Sequence, residues 1–232
     1  MAPALLQAVL IDLDGTLLDT APDLACAANA LRREHGLAEL SQARVAQFIG
    51  KGTDRLIQRT LSDSLEGVVP AEQLAPARAS FEAHYRRVNG TRSQVFAGVP
   101  EALRALRAAG LALACVTNKP REFTLVLLER CGLLPALDIV VAGDDVARRK
   151  PHPDLVLAAC AQLGRAPQAA VLIGDSDNDA QAAHAAGSAS LLVETGYNEG
   201  VPVHTLLGAP GVNGIFPTLL DAASWVLESR RG

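Results

Sequence analysis

Two aspartates follow an apolar run near the beginning of the chain, in the segment AVLIDLDGT at residues 8–16. Residues two apart in an extended strand point to the same side, so Asp12 and Asp14 share a face if the strand geometry persists through them. Gly15 then allows the chain to turn sharply. Because ligands of open parallel sheets bind outside the carboxyl ends of the strands, both acids are expected at the mouth of a site.

Three further segments carry polar residues of complementary types. VTNK at 116–119 supplies a hydroxyl and an amide, RRKPHP at 148–153 supplies a lysine, and GDSDND at 174–179 supplies more acids. The candidate residues in these segments are Thr117, Asn118, Lys150, Asp175 and Asp179.

These residue types indicate a particular chemistry. Carboxylates that are packed together repel one another unless a cation lies between them. Ligand sets made only of oxygen favour a hard ion such as Mg²⁺, which also accepts an oxygen of a substrate phosphate. Lys150 and Thr117 suit the remaining phosphate oxygens. The residues therefore predict a magnesium-dependent reaction at a phosphoryl group.

Short apolar runs predict the strands that position these residues, at 8–13, 111–118, 137–143, 169–175 and 189–195. Each run is nearly continuous in apolar residues, as expected of strands covered on both faces. Amphipathic stretches that end in glycine lie between them, at 100–110, 119–132 and 153–164. This alternation predicts an α/β fold with a doubly wound parallel sheet.

Residues 21–91 break the alternation, because they are helical in pattern throughout and contain no convincing strand. An insert of this kind predicts a second, all-helical domain. The predicted core then consists of residues 1–20 together with 92–232. The chain would cross between the two domains near Thr20 and within the loop-rich segment 89–100.

Composition and charge limit the kinds of molecule that the protein is expected to bind. The chain has 232 residues, 49% of them hydrophobic, which is enough for a substantial core. A net charge of −4, scattered basic residues and only 3% aromatics argue against nucleic acid. Neither a membrane span nor a signal peptide is recognisable. We therefore expect a soluble cytoplasmic monomer or homodimer, whose cysteines, without CxxC spacing, are free thiols.

The motifs DLDGT, TN, KPHP and GDSDND, in this order, resemble the four motifs of the haloacid dehalogenase superfamily. The helical insert after the first motif is similar to that superfamily's first-position cap, so the resemblance covers essentially the whole chain. Within the superfamily, GDDV, KPHPD and TGYNEG resemble segments of the bacterial phosphoglycolate phosphatases. The resemblance implies a Rossmann-like core, Mg²⁺ as cofactor and a small phosphorylated metabolite as substrate.

The resemblance also implies a role for each motif residue. Asp12 would attack phosphorus and form an aspartyl-phosphate, and Asp14 would protonate the leaving group and later deprotonate water. Thr117 and Asn118 would hold the transferring phosphoryl group, while Lys150 would neutralise the developing charge. The implied metal site consists of Asp12, Asp14 with its backbone carbonyl, Asp175 as a direct ligand, and Asp179, which orients metal waters or the lysine.

The segment FIGKGTDR at 48–55 interrupts the helical insert with two glycines and brings two cations, Lys51 and Arg55. We expect this segment to face the strand tips when the insert closes over them. Lys51 or Arg55 would then bind the non-phosphate end of the substrate. The small carboxylate of 2-phosphoglycolate would suit such a cation.

Together these observations predict a magnesium-dependent phosphomonoester hydrolase, with 2-phosphoglycolate as the leading substrate. An amino-sugar phosphate, another small sugar phosphate and pyrophosphate are alternative substrates. A phosphomutase of the β-phosphoglucomutase kind would share all four motifs but protect its aspartyl-phosphate from water. A non-catalytic phosphate sensor on the same fold would normally lack Asp12 or Asp14, and both are present.

Overall fold

The computed structural model describes residues 5–230 of the chain. Its strands are β1 (Ala8–Ile11), β2 (Leu18–Asp19), β3 (Gln94–Val95), β4 (Ala112–Val116), β5 (Ile139–Val141), β6 (Ala170–Gly174), β7 (Ala189–Val193) and β8 (Val212–Phe216). Six strands form one parallel sheet in the order β5-β4-β1-β6-β7-β8. The strands β2 and β3 form a separate antiparallel pair. The prediction of a parallel sheet is confirmed.

Helices connect these strands. They are α1 (Ala21–Glu34), α2 (Gln42–Ala46), α3 (Thr53–Ser62), α4 (Ala71–Val88), α5 (Val99–Ala108), α6 (Arg121–Arg130), α7 (Asp154–Leu163), α8 (Asp177–Ala186) and α9 (Leu219–Ser229). The three amphipathic stretches predicted between strands correspond to α5, α6 and α7. Short 3₁₀ segments complete several of the connections.

The register of the sheet explains why the polar residues that follow the strands lie close together. Ile11 of β1 is level with Cys115 of β4 and with Ile173 of β6. Asp12 therefore leaves the sheet at the same edge as the residues that follow β4 and β6. Because the strands run parallel, motifs that are far apart in sequence reach one edge of the sheet.

Helices cover both faces of the sheet, as the continuous apolar strands predict. In β1, Val9 and Ile11 pack into one hydrophobic cluster with side chains of α5, α6 and α9. Ala8 and Leu10 pack into another cluster with side chains of α7 and α8. Successive strand residues thus bury on opposite faces, which confirms the doubly wound arrangement.

The strands β2, β3 and β8 and the helices α8 and α9 were not predicted. The sequence of β8 contains Asn213 and Gly214, which are poor strand formers, and all five of its residues stay partly or fully exposed. It pairs with β7 at the edge of the sheet, with an irregular register between Ser190 and Leu191. The partner strand therefore stabilises β8 where local propensity does not.

Four helices, α1 to α4, lie between β2 and β3, within the region predicted to be helical throughout. They share a hydrophobic cluster that includes Leu31, Phe48, Ile57 and Phe81. The pair formed by β2 and β3 lies beside the two points where the chain enters and leaves this region. The helical pattern is confirmed, whereas the exact division at residues 21–91 stays a prediction.

Asp23 connects the two segments through which the chain enters and leaves the helical insert, namely the start of α1 and residues 90–93. Its buried carboxylate accepts hydrogen bonds from the backbone N–H groups of Gly90, Arg92 and Ser93 at 2.8, 3.0 and 3.0 Å. The hydroxyls of Thr91 and Ser93 also donate to it, at 3.2 and 2.6 Å. Because a buried carboxylate is costly unless it is hydrogen-bonded, we assign these contacts a structural role.

Replacing Asp23 with alanine is expected to lower the free energy of unfolding by roughly 3 kcal/mol, since several buried donors lose their acceptor. Urea denaturation followed by circular dichroism measures this loss. A matched control is Glu122→Ala, which removes an exposed carboxylate paired with Arg86 and is expected to cost less than about 1 kcal/mol. Equal losses in the two variants would refute the assignment.

The expectations about thiols and membrane spans can also be compared with the structure. Within residues 5–230, Cys26, Cys115, Cys131 and Cys160 are all free, as predicted, and Cys115 and Cys160 are buried. None of the helices in this range combines the length and the apolar character needed to cross a bilayer.

Candidate active site

Three buried carboxylates stand together at the carboxyl edge of the sheet. Oxygen atoms of Asp12, Asp175 and Asp179 lie within 4.8 Å of one another. Carboxylate oxygens at this spacing suit a hard divalent cation. The structure thus brings together three of the four residues that the sequence assigned to a metal.

Lys150 joins two of these carboxylates. Its Nζ lies 2.8 Å from Oδ1 of Asp12 and 2.6 Å from Oδ1 of Asp179, and it donates to the carbonyl oxygen of Val116 at 3.0 Å. Burial by itself lowers the pKa of Lys150, but the charges of Asp12 and Asp179 outweigh this effect and raise the pKa above its ordinary value. Lys150 is therefore a permanent cation beside Asp12.

Burial also changes the acidity of the carboxylates. It raises the pKa of Asp12 to about 7, opposed by the attraction of Lys150 and reinforced by the repulsion of Asp179. The pKa of Asp175 is raised well above its ordinary value by burial first, and then by the charges of Asp179 and Asp12. A bound divalent cation would act in the opposite direction, because it favours the charged carboxylates.

Two glycines allow the backbone to close around Asp175. Gly15 has φ +91°, and a Cβ there would lie 2.5 Å from Oδ2 of Asp175. A Cβ on Gly196 would lie 2.0 Å from the same oxygen. The backbone N–H of Tyr197 donates to that oxygen at 2.7 Å. A side chain at either glycine would displace the carboxylate.

Asp179 is held by its own helix as well as by Lys150. It lies in the first turn of α8, where the backbone N–H and the hydroxyl of Ser176 donate to its Oδ2 at 3.2 and 2.7 Å. This reciprocal cap fixes the start of the helix and the orientation of the carboxylate together. Both oxygens of Asp179 are thus engaged, which agrees with a supporting role.

The side chain of Asp14 makes a different set of contacts. Its Oδ1 lies 2.7 Å from Nζ of Lys119 and accepts a hydrogen bond from the hydroxyl of Thr20 at 2.6 Å. Both members of the Asp14–Lys119 pair are largely buried. The pair fixes the orientation of Asp14 at the edge of the site.

The two residues predicted to hold a phosphoryl group differ in whether their hydrogen-bond donors are already used within the protein. The hydroxyl oxygen of Thr117 accepts from the backbone N–H of Lys119 at 3.2 Å, which leaves its own proton for another acceptor. The Asn118 side chain instead donates to the carbonyl oxygens of Gly50 and Lys150 at 2.8 and 2.9 Å. Its Oδ1 accepts from the backbone N–H of Lys150. Contact of its amide with a phosphoryl group stays a prediction.

A cavity lies between the carboxylates and the inserted helices. Its empty space, counted together with the adjoining open solvent, is about 540 Å³. Asp12 and Asp14 line it from the sheet side, and aromatic rings of Phe81, Tyr85 and Phe123 line it elsewhere. The walls of the cavity are mostly apolar, as is usual for sites that bind small molecules.

Lys51 and Arg55 are not among the residues that line this cavity. Nζ of Lys51 lies 3.1 Å from Oε1 of Glu199, and its side chain is 41% exposed. Arg55 donates to the carbonyl oxygens of Leu65 and Gly67 at 2.7 and 2.9 Å, within the insert. In this arrangement neither side chain reaches the carboxylates, and their contact with a substrate stays a prediction.

The loop at residues 195–200 links several parts of the site. The hydroxyl of Tyr197 donates to Oδ1 of Asp19 at 2.7 Å and accepts from the backbone N–H of Thr20 at 2.8 Å. The carboxylate of Glu199 lies 3.0 Å from the guanidinium of Arg59, which is buried in the insert. The only signal in the sequence was the family resemblance of TGYNEG, which indicated no role for the individual residues.

The ionisable groups of the site carry an excess of negative charge. If every group is ionised, the carboxylates outnumber the ammonium groups by two, since the members are Asp12, Asp14, Asp175, Asp179, Lys119 and Lys150. Uncompensated buried charge is costly, and a divalent cation would balance it. Charge and geometry therefore both fit a divalent metal. Two carboxylates and one ammonium line the cavity, beside a buried cluster of Asp175, Asp179 and Lys150, and groups of these types suit phosphoryl transfer.

The chain is similar over most of its length to proteins of known family. The family model of the haloacid dehalogenase-like hydrolases matches residues 6–187. The phosphoglycolate phosphatase of Nitrosospira multiformis is 45% identical over 227 residues, which cover 98% of each chain. That of Escherichia coli K12 is 38% identical over 211 residues, or 84% of each chain. The crystal structure of a predicted phosphoglycolate phosphatase from Haemophilus somnus 129pt matches with a TM-score of 0.86 at 30% identity, covering 96% of this chain and 98% of that one.

The parallel sheet, the order of the motifs and these similarities define the class of protein. The chain belongs to the haloacid dehalogenase-like hydrolases. It is a hydrolase similar to the phosphoglycolate phosphatases named above, as its sequence motifs predicted.

Proposed function

We propose that the protein hydrolyses 2-phosphoglycolate to glycolate and phosphate, with Mg²⁺ as cofactor and an aspartyl-phosphate on Asp12 as intermediate. The observation that carries the proposal is the position of Asp12, which lines the cavity 2.8 Å from Nζ of Lys150. Its carboxylate also belongs to the buried cluster with Asp175 and Asp179. The names of the relatives support the choice of substrate.

In the first step, an oxygen of Asp12 forms a bond to phosphorus while the bond from phosphorus to the glycolate oxygen breaks. Asp14 gives a proton to the departing oxygen. The ammonium of Lys150 offsets the negative charge around the transferring group, and the hydroxyl of Thr117 donates to one of its oxygens. The products of this step are glycolate and phosphorylated Asp12.

In the second step, water attacks the phosphorus of phosphorylated Asp12. The carboxylate of Asp14 accepts a proton from this water while the bond between phosphorus and Asp12 breaks. Phosphate leaves and both aspartates return to their starting states. Lys119 and Thr20, which hold Asp14 at its Oδ1, keep it in place for both proton transfers.

The proposed metal site consists of Asp12, Asp175 and the backbone carbonyl of Asp14 as ligands, with Asp179, whose oxygens bind Lys150 and Ser176, as a supporting residue. Bound Mg²⁺ supplies positive charge to the carboxylates and to the phosphate oxygens and helps to orient them. The net negative charge of the cluster supports this assignment.

We assign residues 21–91 to a cap domain over a core formed by residues 1–20 and 92–232. The hydrogen bond from Asn118 to the carbonyl oxygen of Gly50 joins the two at 2.8 Å. Cap helices at the cavity would keep bulk water away from the phosphorylated aspartate. The protein is proposed to act in the cytoplasm as a monomer or homodimer.

Phosphate release from a panel of esters tests this function. The panel contains 2-phosphoglycolate, sugar phosphates, an amino-sugar phosphate and pyrophosphate, each assayed with Mg²⁺ and with excess chelator. We expect kcat/KM for 2-phosphoglycolate to exceed that of the other compounds by at least about tenfold. Chelator should abolish the activity, and Mg²⁺ should restore it.

Two outcomes would contradict the proposal in different ways. A preference for another ester would remove the substrate assignment but keep the chemistry. Conversion of a sugar 1-phosphate to its isomer without free phosphate would instead identify a mutase.

A further inference from the structure

The cavity contains one positive charge whose hydrogen-bond donors the proposed chemistry uses only in part. Among the fourteen cavity-lining residues, all within the described part of the chain, Lys119 is the only one with a basic side chain. It is 7% exposed, and its Nζ lies 2.7 Å from Oδ1 of Asp14. An ammonium group has three donors, so this contact leaves donors for a second acceptor.

A second residue of the cavity wall carries a hydroxyl whose proton has no acceptor. The hydroxyl of Tyr85, a residue that lines the cavity, is buried, and within residues 5–230 its proton has no acceptor, because the neighbouring ammonium of Lys119 can only donate. Native proteins rarely leave a buried hydroxyl unpaired, because the desolvated group loses its bonds to water. An unpaired donor that lines a cavity points to a ligand that accepts from it.

Lys119 and Tyr85 are neighbours across the cavity wall. Nζ of Lys119 lies 5.1 Å from the centroid of the Tyr85 ring. Burial raises the pKa of Tyr85 above its ordinary value, opposed by the nearby charge of Lys119, so the phenol keeps its proton at neutral pH. The two side chains therefore present an ammonium and a hydroxyl donor side by side.

We propose that Lys119 and Tyr85 form a subsite for the carboxylate of the substrate, so that the enzyme selects short phosphorylated carboxylic acids over neutral phosphate esters. The inference rests on the proposed function, and it names the residues that recognise the non-phosphate end. The carboxylate accepts from Nζ of Lys119 and from the hydroxyl of Tyr85. It thereby supplies the acceptor that Tyr85 lacks.

The surroundings of this subsite strengthen the selection. Phe81 and Phe123 pack around Tyr85, with ring centroids 5.8 and 5.0 Å from its own. Charge-assisted hydrogen bonds are strongest where water is excluded, and these rings exclude it. A neutral hydroxymethyl group in place of the carboxylate would leave the charge of Lys119 without this second partner.

Kinetics with two matched substrates test the subsite. The probes are 2-phosphoglycolate and 2-hydroxyethyl phosphate, which carries a hydroxymethyl group in place of the carboxylate. The readout is the ratio of their kcat/KM values, because this ratio cancels any loss of chemistry common to both. We expect Tyr85→Phe to lower the ratio about tenfold and Lys119→Met to lower it about 100-fold.

Tyr85→Phe is the more specific test of the two variants, because it changes the fewest contacts. It keeps the ring that packs against Phe81 and Phe123 and removes only a hydroxyl whose proton has no acceptor, so its melting temperature should equal or exceed that of the wild type. A matched control is Phe81→Leu, which alters the same cavity without changing a polar group. This control should change both kcat/KM values together and leave the ratio within about threefold of the wild-type value.

The possible outcomes distinguish failure of the proposed subsite from failure of the proposed substrate. If the wild type prefers 2-phosphoglycolate and both variants keep the wild-type ratio, the subsite is refuted while the proposed function stands. If the wild type prefers 3-phosphoglycerate and the variants lose selectivity for acids, the subsite stands and the named substrate fails. If the wild type does not distinguish the acid from the neutral ester, both proposals are overturned.

Discussion

An Asp12→Asn variant is expected to release phosphate from 2-phosphoglycolate at least about 10⁴-fold more slowly than the wild type. The amide has nearly the size of the carboxylate, but it lacks the anionic oxygen that bonds to phosphorus. Asp179 also contacts Lys150, yet Lys150 and Ser176 occupy both of its oxygens and leave none for attack. Steady-state phosphate release at saturating substrate measures the loss.

The matched control is Asp144→Asn. Asp144 also follows a strand, β5, at the same edge of the sheet, but it is exposed. Its replacement is expected to change kcat by no more than about twofold. Acid quenching of the wild type during turnover should trap a phosphate on the peptide that contains Asp12, which mass spectrometry detects. Full activity of Asp12→Asn would show that another group attacks phosphorus.

Without a divalent cation, the free energy of unfolding is expected to fall as the pH rises from about 4 to about 7. The cause is the pKa of Asp12, which burial raises from 3.8 to about 7. Over this interval the folded protein holds a proton that the unfolded chain has already released. Because the folded state then binds more protons, stability decreases with increasing pH.

The expected loss from Asp12 is roughly 4 kcal/mol, the free energy that corresponds to a shift of this size. The raised pKa of Asp175 acts in the same direction. Mg²⁺ should restore stability, and its effect should be larger at pH 8 than at pH 5, where protons compete with it for the carboxylates. Urea denaturation with and without Mg²⁺ at several pH values measures both effects.

Asp12→Asn serves as the control here because asparagine mimics the protonated, neutral carboxyl group. In the absence of Mg²⁺, this variant should be more stable than the wild type at pH 8 and should lose part of the pH dependence. A stability that rises between pH 4 and 7 in the metal-free wild type would contradict the assigned environment of Asp12.

Much of the fold could be predicted because it depends on short-range patterns. Continuous apolar runs identified five of the six strands of the parallel sheet, and glycine-terminated amphipathic stretches identified α5, α6 and α7 but not α8. The exception among these strands is β8, an edge strand that contains Asn213 and Gly214. Its formation depends on hydrogen bonds to β7, which no local pattern reveals.

The clustering of the candidate site residues could be predicted for a related reason. Parallel strands in one sheet place their carboxyl ends at one edge, so the residues that follow them must meet. Asp12, Lys150, Asp175 and Asp179 are accordingly in contact or within one cluster. Backbone hydrogen bonding places these residues, and the hydrophobic pattern specifies that bonding.

By itself, the sequence determined the α/β class, the helical insert and the set of groups that can react with a phosphoryl group. Only the tertiary structure decided which cations reach the cavity: Lys119 does, paired with Asp14 across 105 positions, whereas Lys51 and Arg55 bond elsewhere. It likewise placed Tyr85, whose hydroxyl proton has no acceptor within residues 5–230, at the cavity. The physical reason is that the direction of a long side chain on a helix or loop depends on how remote elements pack against it, and no local periodicity records that packing.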